Sequence, residues 1–281
     1  MNSREANKAK KVLIIGGGIG GMACAITLGK LGLPVDLIDI DPDWKVYGTG
    51  LTITGPTLRA FRDLGLLDAI GKAGYLSRGG RMFLFNGTFL DENIERPVEP
   101  GLPSAGGIMR PKLHQIMSDE VRRSGANVRL GLTVDRIDNR EDGASVTFSD
   151  GSAGDYSVVV GADGIYSKVR SMLFPAGVSP SYTGQVCWRV VAHRPPEMDF
   201  SEFYFGHAVT AGIVPCSASE MYSFILEPKP DPTRVPEDEQ PAYVRALLAD
   251  FGGRMAVLRD GITSESSIVP RPFEAAIQHR H

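Results

Sequence analysis

Cysteine is scarce in this sequence, which has only Cys24, Cys187 and Cys216 among its 281 residues. Three thiols so far apart do not make a disulfide framework, and they predict reduced, mostly buried cysteines in a cytoplasmic protein. Cysteine and histidine do not cluster at metal-ligand spacing, and His279 and His281 are expected to be solvated. We therefore predict no bound metal.

A large excess of one charge is also missing. The net charge is −3 and 22% of the residues are charged, so neither nucleic acid nor an anionic membrane is an expected partner. Hydrophobic residues make up 42% of the chain, which is enough for the core of one large domain or two.

The chain has no long hydrophobic run, although residues 12–29 are uncharged and follow a basic segment. With Ala23-Cys24-Ala25 as a cleavage site, that outline resembles a signal peptide. However, six of these 18 residues are glycine, and glycine this dense would break a signal helix. A strand, a tight turn and a helix account for every glycine, so we favour that interpretation. Residues 1–10 are predicted to be a loose tail.

The first 40 residues predict a β-α-β unit. The apolar run 11–15 suits a buried strand, 22–31 suits a helix ended by Gly32, and 35–40 suits a second strand. A glycine-rich turn in such a unit binds a dinucleotide, whose phosphates lie at the helix N-terminus.

The glycine-rich turn spans residues 16–21. Gly16 permits a tight turn, Gly18 lets the backbone approach a pyrophosphate, and Gly21 lets the helix pack against the strand. The predicted cofactor contacts in this turn are Gly16, Gly18, Ile19, Gly20 and Gly21.

A carboxylate follows at the distance that this fold requires. Asp39 ends the second strand, 18 residues after Gly21, where a carboxylate binds a ribose hydroxyl. The alternative is a structural turn with a solvated Asp39. Asp41 is predicted to be a solvated loop acid.

The remaining chain alternates helices and strands. We predict one or two helices over 56–73, a hairpin over 81–90, an inter-domain crossing over 97–107, a helix over 111–124, strands over 127–139, 144–149 and 152–160, a helix ending near 172, a strand meander over 181–227, a loop over 228–239 and a helix over 241–251.

Three segments carry a family resemblance. The opening strand and loop, the Arg110-Pro111-Lys112-Leu113 segment, and the run from Asp163-Gly164 to Ser167 and Arg170 occur in the order typical of one flavoprotein family. The chain resembles the FAD-dependent aromatic-ring monooxygenases of the p-hydroxybenzoate and salicylate hydroxylase type. The resemblance implies an α/β Rossmann-like FAD-binding fold with an inserted mixed β-sheet substrate domain.

The resemblance also implies roles for individual residues. Asp163, followed by Gly164, would hold a ribityl or ribose hydroxyl at the carboxyl end of the sheet. Arg110 would bind phosphate or flavin hydroxyls, although a surface arginine at a helix start is the alternative. Val134 would contact the adenine through its backbone, and Arg170 would form a structural salt bridge.

The implied domains are discontinuous. Residues 1–75 and 105–180 would bind FAD, and residues 76–104 and 181–272 would bind substrate. Candidates to line the substrate site are Arg189, Phe203, Tyr204, Phe205, Tyr222 and Phe224, although a core or surface position is the favoured interpretation for each. The sequence leaves open whether the protein forms a homodimer.

The implied reaction is oxygen insertion. The chain has a single glycine-rich dinucleotide loop, whereas flavin reductases with a dedicated nicotinamide domain would show a second. The resemblance implies instead that NADH or NADPH binds transiently and reduces the flavin. A flavin C4a-hydroperoxide formed with O2 would then transfer one oxygen atom to a small aromatic substrate. The flavin carries this chemistry, so we assign no catalytic acid or base.

Other classes fit less well. An NAD-dependent dehydrogenase leaves Asp163-Gly164 unexplained, and the signatures of flavin halogenases (W-x-W-x-I-P) and Baeyer–Villiger monooxygenases (F-x-G-x-x-x-H-x-x-x-W) are absent from the sequence. A flavin-dependent hydride-transfer enzyme without oxygen insertion stays open.

One family motif is missing. Proteins of this family carry one further motif, G-D-A-x-H, which does not occur in this sequence. We therefore also expect that the chain could be truncated or inactive, with weak or no FAD binding. The sequence leaves the substrate, the regiochemistry and the choice of nicotinamide open.

Overall fold

A computed structural model describes residues 11–174 and 179–277. The predicted tail at 1–10, with His279 and His281, lies outside them. The chain forms two compact units. The first combines the chain up to Val46 with His114–Pro180 and the residues from Ala276 onward, and the second combines Tyr47–Leu113 with Ser181–Ala275. The predicted assignment of one domain to cofactor and one to substrate stays a prediction.

Regular elements cover most of both described ranges. The helices there are α1 Ile19–Lys30, α2 Gly55–Asp63, α3 Leu67–Ala73, α4 Arg110–Arg123, α5 Lys168–Leu173, α6 Gln240–Leu247 and α7 Gly253–Asp260. The strands there are β1 Val12–Ile15, β2 Val35–Asp39, β3 Gly50–Thr54, β4 Tyr75–Ser77, β5 Gly79–Leu84, β6 Phe89–Ile94, β7 Ala105–Met109, β8 Asn127–Leu130, β9 Val134–Arg140, β10 Gly143–Phe148, β11 Ala153–Tyr156, β12 Val158–Gly161, β13 Ser181–His193, β14 Ser201–Phe205, β15 Thr210–Pro215, β16 Glu220–Pro228 and β17 Ile268–Ala275.

A parallel sheet organises the first unit. Its strand order is β12-β1-β2-β8, with every neighbouring pair parallel. Leu13, Ile14 and Leu37 are fully buried, because a parallel sheet is covered on both faces and selects uninterrupted apolar strands. The carboxyl ends of β1, β2 and β12 therefore lie side by side, where ligands bind in such sheets.

Two predicted strands are each divided in the structure. The stretch 127–139 forms β8 and β9, because Gly131 adopts a left-handed φ of 68° that ends the first strand. The stretch 152–160 forms β11 and β12, separated at Ser157. The outer pieces β8 and β12 join the parallel sheet, whereas β9, β10 and β11 form an antiparallel meander.

A seven-stranded mixed sheet organises the second unit, in the order β17-β13-β16-β15-β14-β5-β6. The predicted hairpin at 81–90 is confirmed as β5 and β6. The predicted meander is confirmed as four strands, with β13 paired to β16. One face of the sheet packs its Trp188, Tyr204 and Ile225 side chains with α6 and α7 residues in the largest apolar cluster described for this unit.

Five elements of the second unit were not predicted. The proposed crossing at 97–107 is wrong for its last part, since β7 lies between β3 and β4 in a three-stranded sheet. Neither β3, β4, β17 nor α7 was expected. The predicted helix over 241–251 ends at Leu247, and Gly252 caps the separate helix α7.

Within the described part of the chain, no helix is both long and apolar enough to cross a membrane.

Candidate functional site

The glycine-rich turn joins β1 to α1 at the carboxyl edge of the parallel sheet. Gly16 has φ 106°, a left-handed conformation that favours glycine. A Cβ on Gly16 would lie 2.4 Å from the carbonyl oxygen of Ala162, and one on Gly21 would lie 1.8 Å from the carbonyl oxygen of Gly16. These two positions therefore need glycine for the fold itself.

The outer side of the turn is open. Gly18 and Gly20 are exposed, and a Cβ on either would meet no atom within 4 Å. In the first turn of α1, the Met22 N–H donates to the Gly18 carbonyl oxygen at 2.9 Å. The preceding N–H groups form the partly positive helix end, and no acidic side chain lies in that first turn. This cradle of exposed backbone fits a pyrophosphate.

Asp39 contacts the turn directly. Its Oδ2 accepts the Gly17 N–H at 2.6 Å, and its Oδ1 accepts the Asp41 N–H at 2.8 Å. A carboxylate offers about four lone-pair sites, so both oxygens keep capacity for a ribose hydroxyl. Asp41 in turn accepts the N–H groups of Asp43 and Lys45 and thereby shapes the loop after β2.

Sequence reasoning missed Trp44. This side chain is 6% exposed, and its indole N–H donates to the Gly17 carbonyl oxygen at 2.9 Å. Its backbone has φ 48°, the one left-handed non-glycine residue of the described ranges. The only sequence signal is a large aromatic residue in a polar loop five positions after Asp39.

The Asp163-Gly164 segment lies next to the glycine-rich turn. A Cβ on Gly16 would lie 2.8 Å from the Cα of Asp163, because β12 pairs in parallel with β1. Asp163 Oδ1 accepts the Ser167 hydroxyl at 2.5 Å, and Oδ2 accepts the Val169 N–H at 3.1 Å. The structure thus brings the loop, Asp39 and Asp163-Gly164 to one edge of the same unit.

The other predicted residues lie elsewhere in the fold. Arg110 is exposed at the first residue of α4 and belongs to the second unit, so its two interpretations stay open. Val134 is fully buried at the start of β9, and its adenine contact stays a prediction. The prediction of a salt bridge for Arg170 is wrong, because its guanidinium instead donates a hydrogen bond to a neutral acceptor, the Ile165 carbonyl oxygen, at 2.6 Å.

The substrate candidates divide between the two faces of the mixed sheet. Register places Arg189, Phe224, Gly212 and Phe203 in one row across four strands. Tyr204 faces the other way, is 1% exposed and packs on Phe83 in the core. Tyr204 is therefore a core residue, as the favoured interpretation of these candidates predicts, since neighbouring strand residues point to opposite faces.

Two glycines leave room for the rings of Phe203 and Phe224 in this row. A Cβ on Gly212 would lie 2.4 Å from the ring of Phe224, and one on Gly80 would lie 2.6 Å from the ring of Phe203. The two rings are 6.2 Å apart and half-buried. We call Arg189, Phe203, Gly212 and Phe224 the aromatic row.

Tyr222 flanks the row. Its ring lies 6.3 Å from Phe224, and its hydroxyl lies 2.9 Å from Thr52 Oγ1. Burial raises the pKa of Tyr222, so the phenol stays protonated and can donate or accept a hydrogen bond. Burial also raises the pKa of the nearby Cys216 thiol to about 12, which leaves it unreactive at neutral pH. As predicted, the three cysteines are free and two of them are buried.

Comparison with known proteins identifies the family. Residues 9–262 match the sequence family described as FAD binding domain. The chain is 32% identical over 271 residues to 2-heptyl-3-hydroxy-4(1H)-quinolone synthase of Pseudomonas aeruginosa, covering 94% of this chain and 69% of that protein. It is 30% identical over 230 residues to Aurachin C monooxygenase/isomerase of Stigmatella aurantiaca, covering 78% and 57%.

Solved structures agree on the fold. The crystal structure of Klebsiella pneumoniae HpxO complexed with FAD and uric acid matches with a TM-score of 0.82 at 21% identity, covering 95% of this chain and 68% of that one. The predicted fold class, an α/β Rossmann-like FAD-binding fold with a mixed β-sheet, is confirmed. The chain therefore belongs to the FAD binding domain family, among the FAD-dependent monooxygenases, oxidoreductases whose cofactor is FAD.

Proposed function

We propose that this protein is an NAD(P)H-consuming monooxygenase that inserts one oxygen atom of O2 into a small, planar aromatic substrate. The observation that carries the proposal is the open, partly positive cradle at Gly18 and Gly20, flanked by Asp39 and Asp163 on one sheet edge. A dinucleotide cofactor fits this arrangement in shape and charge.

The groups of the first unit would divide the binding of FAD among them. The N–H groups at the start of α1 would bind the pyrophosphate, Asp39 a ribose hydroxyl, and Asp163 a ribityl or ribose hydroxyl. The Val134 backbone would contact the adenine. FAD, when bound, supplies the redox chemistry that activates O2. The protein's residues bind and orient the cofactor and the substrate, and they exclude water.

The aromatic row supports the substrate class. The two half-buried rings of Phe203 and Phe224 offer an apolar surface on which a planar ring can stack. Arg189 lies in register beside Phe224, and a guanidinium can donate two hydrogen bonds to a carbonyl or carboxylate oxygen. One relative is named for a hydroxyquinolone and a solved relative holds uric acid, and both compounds are planar rings with oxygen substituents.

NADH or NADPH is the proposed reductant because the family resemblance implies transient binding of a nicotinamide cofactor.

Oxygen-isotope transfer tests the proposal. The purified chain is mixed with FAD, NADH or NADPH, and a panel of quinolones, purines, phenols and aromatic acids under isotopically labelled O2. We expect substrate-stimulated NAD(P)H oxidation with one labelled atom in the product. Oxidation without label would instead support a flavin-dependent hydride-transfer enzyme, and an absence of FAD binding would overturn the cofactor assignment.

A further inference from the structure

Trp44 closes the buried side of the glycine-rich turn. The Gly17 carbonyl oxygen accepts the Trp44 indole N–H at 2.9 Å, while the Gly17 N–H donates to Asp39 at 2.6 Å. Both hydrogen-bonding groups of this one residue are thus held by side chains, one from the last residue of β2 and one from the loop that follows it. The turn is therefore fixed at Gly17, on the side opposite to the open Gly18 and Gly20.

Trp44 is itself held in place from a second element. The Arg122 guanidinium lies 4.9 Å from the centre of the indole ring, and the His114 ring meets the indole edge-on at 5.5 Å. Both residues belong to α4, and a cation over an indole face is an attractive contact. The indole therefore lies between the turn and α4.

The Trp44 backbone is also held in a constrained conformation. A bulky residue with φ 48° is unfavourable and persists only where its surroundings dictate it. Here the Asp41 carboxylate accepts the Asp43 and Lys45 N–H groups and bends the chain on both sides of Trp44. The loop therefore adopts an unfavourable backbone conformation at Trp44, and this conformation places the indole at Gly17.

We propose that Trp44, supported by Arg122, is a positioning residue that sets the affinity for FAD by holding the glycine-rich turn in its binding conformation. A turn fixed in advance avoids the entropy loss that a free glycine run would incur on binding. The inference rests on FAD binding at this turn, as argued above.

The test compares FAD affinity across matched variants of the full chain. Trp44→Phe keeps a ring beside Arg122 but removes the N–H donor. The matched control is Trp188→Phe, since Trp188 is the second of the two tryptophans and its indole N–H likewise donates to a buried group, Glu227, at 2.7 Å. We expect Trp44→Phe to weaken FAD binding about tenfold, and Trp188→Phe to leave it unchanged.

A second pair of variants covers the case in which Trp44→Phe does not fold. Arg122→Ala removes the cation over the indole and is expected to weaken FAD binding several-fold, whereas Arg123→Ala, at the exposed neighbouring position that pairs with Glu120, leaves it unchanged. In a Trp188→Phe background Trp44 is the sole indole, so its fluorescence should change on adding FAD.

The outcomes are separable. If the wild-type chain binds no FAD, the cofactor assignment itself fails. If the wild-type chain binds FAD while folded Trp44→Phe and Arg122→Ala bind it with wild-type affinity, the positioning role is overturned. Unchanged Trp44 fluorescence on FAD binding also contradicts it.

Discussion

The Ser167 hydroxyl donates a 2.5 Å hydrogen bond to Oδ1 of Asp163, while Ser167 Oγ accepts the Arg170 N–H at 2.9 Å. Ser167 is the N-cap of α5, and the Val169 N–H donates to the other carboxylate oxygen. Asp163 is therefore oriented by the first turn of the helix that follows it. This explains why serine stands four residues after the aspartate.

Removing the cap should affect stability and cofactor binding together. We expect Ser167→Ala to lower the free energy of unfolding by about 1 kcal/mol, the usual cost of losing an N-cap, and to weaken FAD binding because Asp163 loses a donor. Urea unfolding and FAD titration measure the two effects. Ser171→Ala is the control, since Ser171 only donates back to the Ser167 carbonyl oxygen. Equal losses in both variants would contradict the capping role.

A buried carboxylate in the parallel sheet predicts a pH dependence. Burial tends to raise the pKa of Asp36, but hydrogen bonds from Lys11, Asn127 and Tyr156 outweigh it and hold the pKa below its usual value. Because the folded-state pKa lies below the unfolded one, the ionised carboxylate stabilises the fold above about pH 4. This stabilisation is lost as the pH falls through the folded-state pKa.

Asp36→Asn separates this effect from general acid unfolding. The variant should be less stable at neutral pH by about 1–3 kcal/mol, because a buried hydrogen-bond network loses its charge. Its unfolding free energy should also fall less steeply below pH 4 than that of the wild-type chain. Asp142→Asn, at an exposed position, should change neither quantity. A wild-type acid slope in Asp36→Asn would show that another group governs it.

The two faces of the mixed sheet predict a division between substrate affinity and stability. Phe224→Leu, in the aromatic row, should raise KM about tenfold for an aromatic substrate through lost ring stacking. Tyr204→Phe, on the core face, should leave KM unchanged and lower the free energy of unfolding by about 1 kcal/mol, because its hydroxyl donates to the buried Glu202 at 2.8 Å. A similar rise of KM in both variants would contradict the assignment of faces.

The sequence predicted the parts of the site that regular structure positions. Asp39 ends β2 and Asp163 follows β12 by two residues, and the edge at which parallel strands end follows from the β-α-β pattern. The same pattern predicted where β1, α1 and β2 lie, to within a few residues.

The parts that depend on irregular backbone could not be predicted. Trp44 reaches Gly17 through a left-handed residue and two Asp41 hydrogen bonds, and no periodicity signals such a loop. Likewise the strand break at Gly131 depends on one positive φ. Tyr204 could have been separated from Phe203 and Phe205 by alternation alone, but which face is the core depends on the packing of α6 and α7.

FAD binding at the open side of the glycine-rich turn underlies the proposed function. Its most direct test is the FAD dissociation constant of the wild-type chain against those of Gly18→Ala and Gly20→Ala, measured by flavin fluorescence alongside thermal unfolding. A methyl group at either position meets no protein atom within 4 Å, so the fold should be intact, and Gly20→Ala should even gain up to about 1 kcal/mol of helix stability. We expect stoichiometric FAD binding by the wild-type chain and affinity at least about tenfold weaker in both variants. Equal FAD affinity in all three proteins, or no binding by the wild-type chain, would contradict it.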